Sequence, residues 1–371
     1  MMSESKKIPK DLSGLLITLL ILLISITLIN TWTIKSFTVD SSKSNYEPIQ
    51  KVKISLTFIQ DTTCKECFDM NSVTNEFSTD EIIKNEKIEL NTNQAKELIK
   101  LYNIQKIPAL IVTGETEKAN GIKSLSSMGK TKEKTFIVEA PQPVYINTKT
   151  KTQEGYVTII VLTENSCSDC FAIEDILNQL TNVVKIKTVN KIESTSNQGK
   201  EIIKKYNITK TPTIILSKEA IEYPLIKQSW KSLGTIDDDG SLILRNVLPP
   251  YKDQTTNTIK GQVQIIQLID ETCKECYNVS IHETPLKRLG MQIKNEKKVE
   301  IKSSEGQSLI KKYGIELVPT IILTGDVNAY NIENTWKSVG SIEKDGTYVF
   351  RNVAILEGQT YKNITTGKIV T

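Results

Sequence analysis

Three times along this 371-residue chain, a Cys-x-x-Cys pair is followed at nearly constant distance by a Tyr-x-Ile segment and a proline. The pairs are Cys64–Cys67, Cys167–Cys170 and Cys273–Cys276, and they use all six cysteines. Their first members lie 103 and 106 residues apart, about one small domain each time. The partner segments are Tyr102-Asn103-Ile104 before Pro108, Tyr206-Asn207-Ile208 before Pro212 and Tyr313-Gly314-Ile315 before Pro319. These prolines stand 44, 45 and 46 residues after the first cysteine of their own pair. Two motifs that keep their separation through three copies are set by one fold repeated in tandem.

The elements around the motifs repeat as well. An apolar strand precedes each pair, at residues 52–59, 157–162 and 263–269. Val52, Ile54, Leu56 and Phe58 alternate as a half-buried strand does. A helix is expected to start at each pair; Ile173, Ile176, Leu177 and Leu180 trace one helical face in the second copy. A second strand follows, with Ile88 and Leu90, Val184 and Ile186, or Val299 and Ile301. A second helix then runs into the Tyr-x-Ile segment, the proline and a further strand. The order describes an α/β sheet that begins with a βαβ unit.

A terminal β-hairpin is expected to end each copy. Residues 230–236 and 242–247 flank Asp239-Gly240, and residues 336–342 and 348–353 flank Asp345-Gly346. Asp-Gly suits a two-residue turn with positive φ at both positions. Trp230 and Trp336 open these hairpins and read as hairpin core. The first copy has Leu125 in place of the tryptophan and no Asp-Gly, so it reads as the degenerate one. Pro141-Gln142-Pro143 and Pro249-Pro250 are expected to close copies one and two, with linkers just after. The resulting domains are 51–148, 153–255 and 260–371.

Residues 12–29 form one uncharged apolar run, near the lower limit for a membrane-spanning helix. Lys6, Lys7 and Lys10 precede it, only Lys35 follows closely, and Trp32 stands where an interfacial aromatic would. The positive-inside rule keeps the N-terminus cytoplasmic and exports the rest. The run is expected to be a single-pass anchor in the lipid bilayer of the cell membrane. A cleaved signal peptide is the rival reading, though no Ala-x-Ala pattern follows the run. Either way the cysteines lie outside the cytoplasm, where disulfides persist.

The net charge is +4 with no basic stripe, so no nucleic-acid partner is expected. A single histidine, His282, cannot serve three Cys-His pairs or complete three metal sites, and it reads as a solvated helix residue. A zinc ribbon needs two Cys-x-x-Cys pairs roughly 15–20 residues apart. These lie more than 100 residues apart, so no metal and no cofactor is expected. A first cysteine at a helix N-terminus would have its thiolate favoured by free N–H groups and the helix dipole. That thiolate is the nucleophile of thiol–disulfide exchange, and a second cysteine one turn on can resolve the mixed disulfide. Cys64, Cys167 and Cys273 are then the attacking groups, and Cys67, Cys170 and Cys276 the resolving ones.

The strand, the Cys-x-x-Cys pair and a segment such as Tyr313-Gly314-Ile315-Glu316-Leu317-Val318-Pro319-Thr320-Ile321-Ile322 together resemble the thioredoxin superfamily. The resemblance covers about 100 residues in each copy. It implies three tandem thioredoxin-like α/β domains after one transmembrane helix, with Pro108, Pro212 and Pro319 cis and packed beside the cysteines. It also implies that Ile107, Thr211 and Val318, which precede those prolines, lend their backbone to a bound substrate peptide.

This chain departs from the family's pattern at several points. Thr63, Ser166 and Thr272 replace the usual tryptophan before the first cysteine. Phe58, Val161 and Gln267 replace the family's buried acid, and its terminal helix is not evident. An acid recurs three residues before each pair, at Asp61, Glu164 and Asp270, and reads as a loop or capping residue ahead of a proton acceptor. Lys65-Glu66 and Lys274-Glu275 are neutral inserts, whereas Ser168-Asp169 is negative and should raise the thiol pKa of Cys167. Three matches to the glycosylation pattern, among them Asn363-Ile364-Thr365, are short enough to arise by chance.

The expected function is thiol–disulfide exchange on exported proteins or with a membrane redox partner. The alternative is a redox-inert thioredoxin-like scaffold or binding module. Exposed first cysteines favour the first reading and buried ones the second.

Overall fold

The computed structural model describes residues 51–371. The expected membrane span at 12–29 lies outside them, and no helix among the described residues is long and apolar enough to cross a membrane.

From residue 51 the chain builds one eight-strand plan three times. The first unit has β1 (Lys53–Gln60), β2 (Glu81–Glu89), β3 (Lys106–Ile107), β4 (Ala109–Gly114), β5 (Gly129–Lys132), β6 (Thr135–Glu139), β7 (Tyr145–Asn147) and β8 (Gln153–Glu154). The second has β9 (Val157–Thr163), β10 (Ile186–Glu193), β11 (Lys210–Thr211), β12 (Thr213–Leu216), β13 (Gly234–Ile236), β14 (Leu242–Leu244), β15 (Tyr251–Asp253) and β16 (Thr258–Lys260). The third has β17 (Val263–Ile269), β18 (Ile293–Glu300), β19 (Leu317–Val318), β20 (Thr320–Gly325), β21 (Gly340–Ile342), β22 (Tyr348–Phe350), β23 (Tyr361–Asn363) and β24 (Ile369–Val370).

Each unit holds a five-stranded sheet, in the order β2-β1-β4-β6-β5 in the first. The β1–β2 pair is parallel and the other pairs are antiparallel. The sheet is apolar on both faces. In the first unit Leu56 and Phe58 of β1 pack with Phe77 and Leu125 on one side, while Ile59 packs with Ile88, Ile104 and Ile107 on the other. Strands β2, β10 and β18 form the outer edges and are solvent-exposed along most of their length.

The Tyr-x-Ile segments end the second helix of each unit. That helix is Asn93–Tyr102, Asn197–Lys205 or Ser304–Tyr313. Thr92, Ser196 and Ser303 cap its N-terminus by accepting from the N–H groups of Ala95, Gly199 and Gly306. Asn103, Asn207 and Gly314 end it in the left-handed region, at φ 49°, 48° and 58°. The residue after the tyrosine is therefore Asn or Gly because that backbone position requires it. In units two and three the tyrosine hydroxyls of Tyr206 and Tyr313 donate to Asp239 and Asp345 in the hairpin turns, at 3.0 and 3.1 Å.

Several expectations need correction. Trp230 and Trp336 lie on short helices (Pro224–Leu233 and Glu333–Trp336), not on hairpin strands, and they are buried in the sheet core. Leu125 fills the same place in the first unit. The first unit keeps its hairpin, β5–β6, around Glu133-Lys134 with Glu133 at φ 53°. In the other hairpins only the glycine of Asp-Gly has positive φ, 82° at Gly240 and 80° at Gly346. The turn is thus a three-residue loop with a bulge.

No unit ends at that hairpin. Each adds a second one, which joins the short strand before the proline in a separate sheet of order β3-β7-β8, β11-β15-β16 or β19-β23-β24. The prolines at 141–143 and 249–250 lead into this hairpin, and the pairing carries the first unit to Glu154 and the second to Lys260.

Candidate functional site

Each cysteine pair lies in the loop after the first strand and is closed by a disulfide. The S–S distances are 2.01, 2.04 and 2.01 Å, and no free cysteine occurs among the described residues. The peptide bonds before Pro108, Pro212 and Pro319 are cis. In the third unit Cys273, Cys276, Asp270 and Pro319 line one cleft of about 180 Å³. In the first, Cys64 packs in one apolar cluster with Ile107 and Ile146.

The helix expected to start at each pair begins later. The pairs sit in turns, with the N–H of Cys67 on the Cys64 carbonyl at 3.4 Å and that of Cys170 on Cys167 at 3.4 Å. Regular helix starts only at Asn71 and Ile173, and in the third unit a 3₁₀ turn starts at Val279. The second hairpin is the cause. Phe68, Phe171 and Tyr277, each following the second cysteine, donate their N–H to Val144, Pro250 and Thr360 at 2.8 Å in all three cases. Those bonds pull the backbone off a helical path. A helix dipole acts only within the first turn, so it does not reach the first cysteine here.

The first cysteines are nearly covered in the disulfide form, with 7%, 8% and 8% exposure for Cys64, Cys167 and Cys273. Cys67, Cys170 and Cys276 are half-buried. Ile107, Thr211 and Val318 are each 0% exposed, and all three pair with the second hairpin rather than facing solvent.

The recurring acid has become three different environments. In the first unit Asp61 only accepts from the N–H and hydroxyl of Thr63. In the second, the Glu164 side chain is fully buried. It accepts from Ser166 (2.5 Å), Ser194 (2.7 Å), Thr211 (2.8 Å) and Gln254 (3.2 Å), with Lys252 at 3.8 Å. In the third, Asp270 accepts from the Thr272 N–H at 2.9 Å and from Lys362 at 2.6 Å. Burial pushes the Asp270 carboxyl up, but Lys362 and Thr272 outweigh it and hold the group down at about 2. Hydrogen bonds win over burial at Glu164 too, leaving it below the usual carboxylate range. Carboxylates held so low are poor proton acceptors, which favours the structural role over the catalytic one.

Gln267 stands where the resemblance puts a buried acid. It is 0% exposed, and its Oε1 has no partner among the described residues.

His282 corrects its expectation outright. It is 7% exposed, tilted against Phe350 at 4.5 Å between ring centroids. Its Nε2 lies 3.1 Å from the Tyr277 hydroxyl, which donates to the Pro319 carbonyl at 2.6 Å. Burial drives its pKa down to about 4. The first site also touches the second unit. Lys106 and the Tyr145 hydroxyl both bond Glu222, at 2.7 and 2.9 Å, and Lys185 bonds Glu66 between the first two cysteines at 2.6 Å.

Sequence reasoning missed the second hairpin, yet a signal was present. Tyr145-x-Asn147, Tyr251-x-Asp253 and Tyr361-x-Asn363 recur once per unit. The Asn or Asp side chain accepts from the N–H groups two and three residues on, closing an Asx turn each time. The apparent glycosylation pattern at Asn363 is this turn.

A sheet whose first strand pairs parallel with one neighbour and antiparallel with the other, with a Cys-x-x-Cys disulfide and a cis proline at one end, defines a thioredoxin-like unit. The described residues form three such thioredoxin-like units in tandem. Solved structures similar to it include a crystal form of ERdj5, at 15% identity over 76% of this chain and 39% of that one, with a TM-score of 0.15. Human ERp44 matches at 10% identity over 82% of this chain and 92% of that one, with a TM-score of 0.15. The NTD_N/C domain of alkylhydroperoxide reductase AhpF from Enterococcus faecalis matches at 16% over 46% and 82%, again with a TM-score of 0.15. The chain spans about two fifths of the length of the ERdj5 structures it matches. The fold assignment rests on the strand order and site geometry above. No protein-family model matches the chain, and no curated protein does.

Proposed function

We propose that this protein is a thiol–disulfide oxidoreductase, anchored in the cell membrane by residues 12–29 and working outside the cytoplasm on exported thiol proteins or a membrane redox partner. The observation that carries the redox reading is the third-unit cleft, where both cysteines of a disulfide and the cis proline line one opening. A reduced pair attacks a substrate disulfide through Cys64, Cys167 or Cys273. One substrate thiolate leaves, and the mixed disulfide is resolved by Cys67, Cys170 or Cys276. Two electrons pass to the substrate, and the pair is left oxidised as in this structure. The test is reduction of a disulfide substrate by the reduced full chain. Replacing Cys64, Cys167 and Cys273 together by serine is expected to abolish turnover, and unchanged turnover refutes the proposal.

The near burial of the first cysteines favours a second reading, a redox-inert scaffold. Alkylation of the reduced chain separates the two: an oxidoreductase alkylates faster than a free thiol of ordinary pKa, and a scaffold more slowly.

A further inference from the structure

We infer that the three disulfides serve low-molecular-weight thiols and disulfides, because the strand edge beside each pair is already filled by the chain's own second hairpin. The inference rests on the redox reading above and puts small molecules in place of its protein substrates.

An extended peptide is held at a protein surface by adding a strand to an open edge. The strands beside the disulfides are β3, β11 and β19, which run into the cis prolines. Each is paired with the hairpin, in the register Ile107↔Ile146, Thr211↔Lys252 and Val318↔Lys362. Two residues upstream, Gln105, Thr209 and Glu316 accept from Thr148, Gln254 and Ile364, at 2.9, 2.8 and 2.8 Å. Bonded pairs recur every second residue in an antiparallel ladder, so the residue before each proline has both its N–H and its C=O in use. On the other flank, the residue after the second cysteine donates to the start of the same hairpin. The hairpin thus bridges the cysteine loop and the proline strand and fills the edge of that strand that faces it.

In two units a charge fastens this bridge. Lys362 lies 2.6 Å from Asp270 and Lys252 lies 3.8 Å from Glu164, and both carboxylate side chains have 0% exposure. Lifting the hairpin would strand a buried charge. In the first unit Ile146 takes the lysine's place and packs against Ile107 and Cys64. The opening that remains at the third site, about 180 Å³, is below the roughly 300–1,000 Å³ of pockets for drug-sized ligands. It suits a molecule the size of cysteamine or cysteine. In the step, a Cys273 thiolate attacks one sulfur of R–S–S–R, that S–S bond breaks, and RS⁻ leaves and takes a proton from water. Cys276 then displaces the second RS⁻ and closes the protein disulfide.

The test compares two probes on the reduced full chain: cystamine, and an extended twelve-residue peptide dimerised through a central cysteine. Each rate is normalised to that of free dithiothreitol with the same probe. The peptide needs a lifted hairpin, so its normalised rate is expected to be at least about tenfold lower than that of cystamine. Changing Lys252→Met and Lys362→Met together should raise the peptide rate relative to the cystamine rate. A second measurement does not depend on those variants folding. With Cys276→Ser, each probe is trapped on Cys273 and amide exchange is followed at Lys362. The amide should stay protected in the cysteamine adduct and lose protection in the peptide adduct. Equal normalised rates in the unaltered chain, or a peptide adduct with Lys362 still protected, overturn the inference and leave the redox reading standing. Silence towards both probes overturns the redox reading and the inference with it.

Discussion

The buried His282 makes the third unit sensitive to mild acid. The imidazole is 7% exposed and its ring neighbours are Tyr277 and Phe350, so burial holds it neutral with a pKa of about 4. In the unfolded chain the same group titrates near 6.5. Between these values the unfolded state binds a proton that the folded state refuses, so stability rises with pH across the window. The contribution is fully present above about 6.5 and is lost as pH falls towards 4. Each pH unit is worth about 1.4 kcal/mol, giving about 2 kcal/mol between pH 7 and pH 5 and about 3 kcal/mol by pH 4. The lowered carboxylates of this unit (Asp270, Glu343 and Asp345) start from unfolded values of 4.5 or below and stay out of the upper part of that window. Trp336 is buried in the same core and reports unfolding of this unit once Trp32 and Trp230 are changed to phenylalanine. Urea unfolding followed by its fluorescence should lose about 2 kcal/mol from pH 7 to pH 5, whereas His282→Leu should flatten the dependence. Equal slopes in the two proteins over that range would refute the reasoning.

Two further outcomes can be measured on the same protein. Gly314→Asn should be nearly neutral, because Asn103 and Asn207 hold the same left-handed position, whereas Gly314→Val should cost about 1–2 kcal/mol in urea unfolding. The Cys167–Cys170 pair should be the most reducing of the three when each is titrated alone against glutathione, since Asp169 has no neighbouring lysine in its insert and no salt bridge among the described residues, while Glu66 is neutralised by Lys185 at 2.6 Å and Glu275 adjoins Lys274; a middle pair that proves the most oxidising would count against this.

The tandem plan could be read from the sequence because motif spacing is a global property. Cys64 to Pro108 survives any local ambiguity about helix or strand. Positions decided by a contact elsewhere in the unit could not be read this way. The helix start after Cys67 is displaced by a backbone bond from Phe68 to Val144, a residue about 80 positions away. His282 lies in a 3₁₀ turn and is buried against Phe350 of β22, which no local pattern around residue 282 encodes. Trp230 belongs to a helix that runs to Leu233 and passes directly into β13 at Gly234, so no loop residue marks the boundary in the sequence. The substrate-facing roles of Ile107, Thr211 and Val318 were transferred by resemblance, and the resemblance carried no second hairpin.

The exposed edges of the three main sheets bear on how such a chain reaches its fold at all. Three similar units joined in sequence risk completing one another's sheets while they fold, the usual failure of repeat proteins. Strands β2, β10 and β18 are where that error would begin, as each leaves a row of backbone groups unpaired. They carry Lys84, Glu86 and Lys87, then Lys187 and Lys191, then Lys294, Glu296, Lys297 and Lys298, on largely exposed positions. Charges along an edge make it a poor template for a neighbouring strand. The charged outer rims of this protein therefore act as the spacers that let three near-copies fold side by side as separate units.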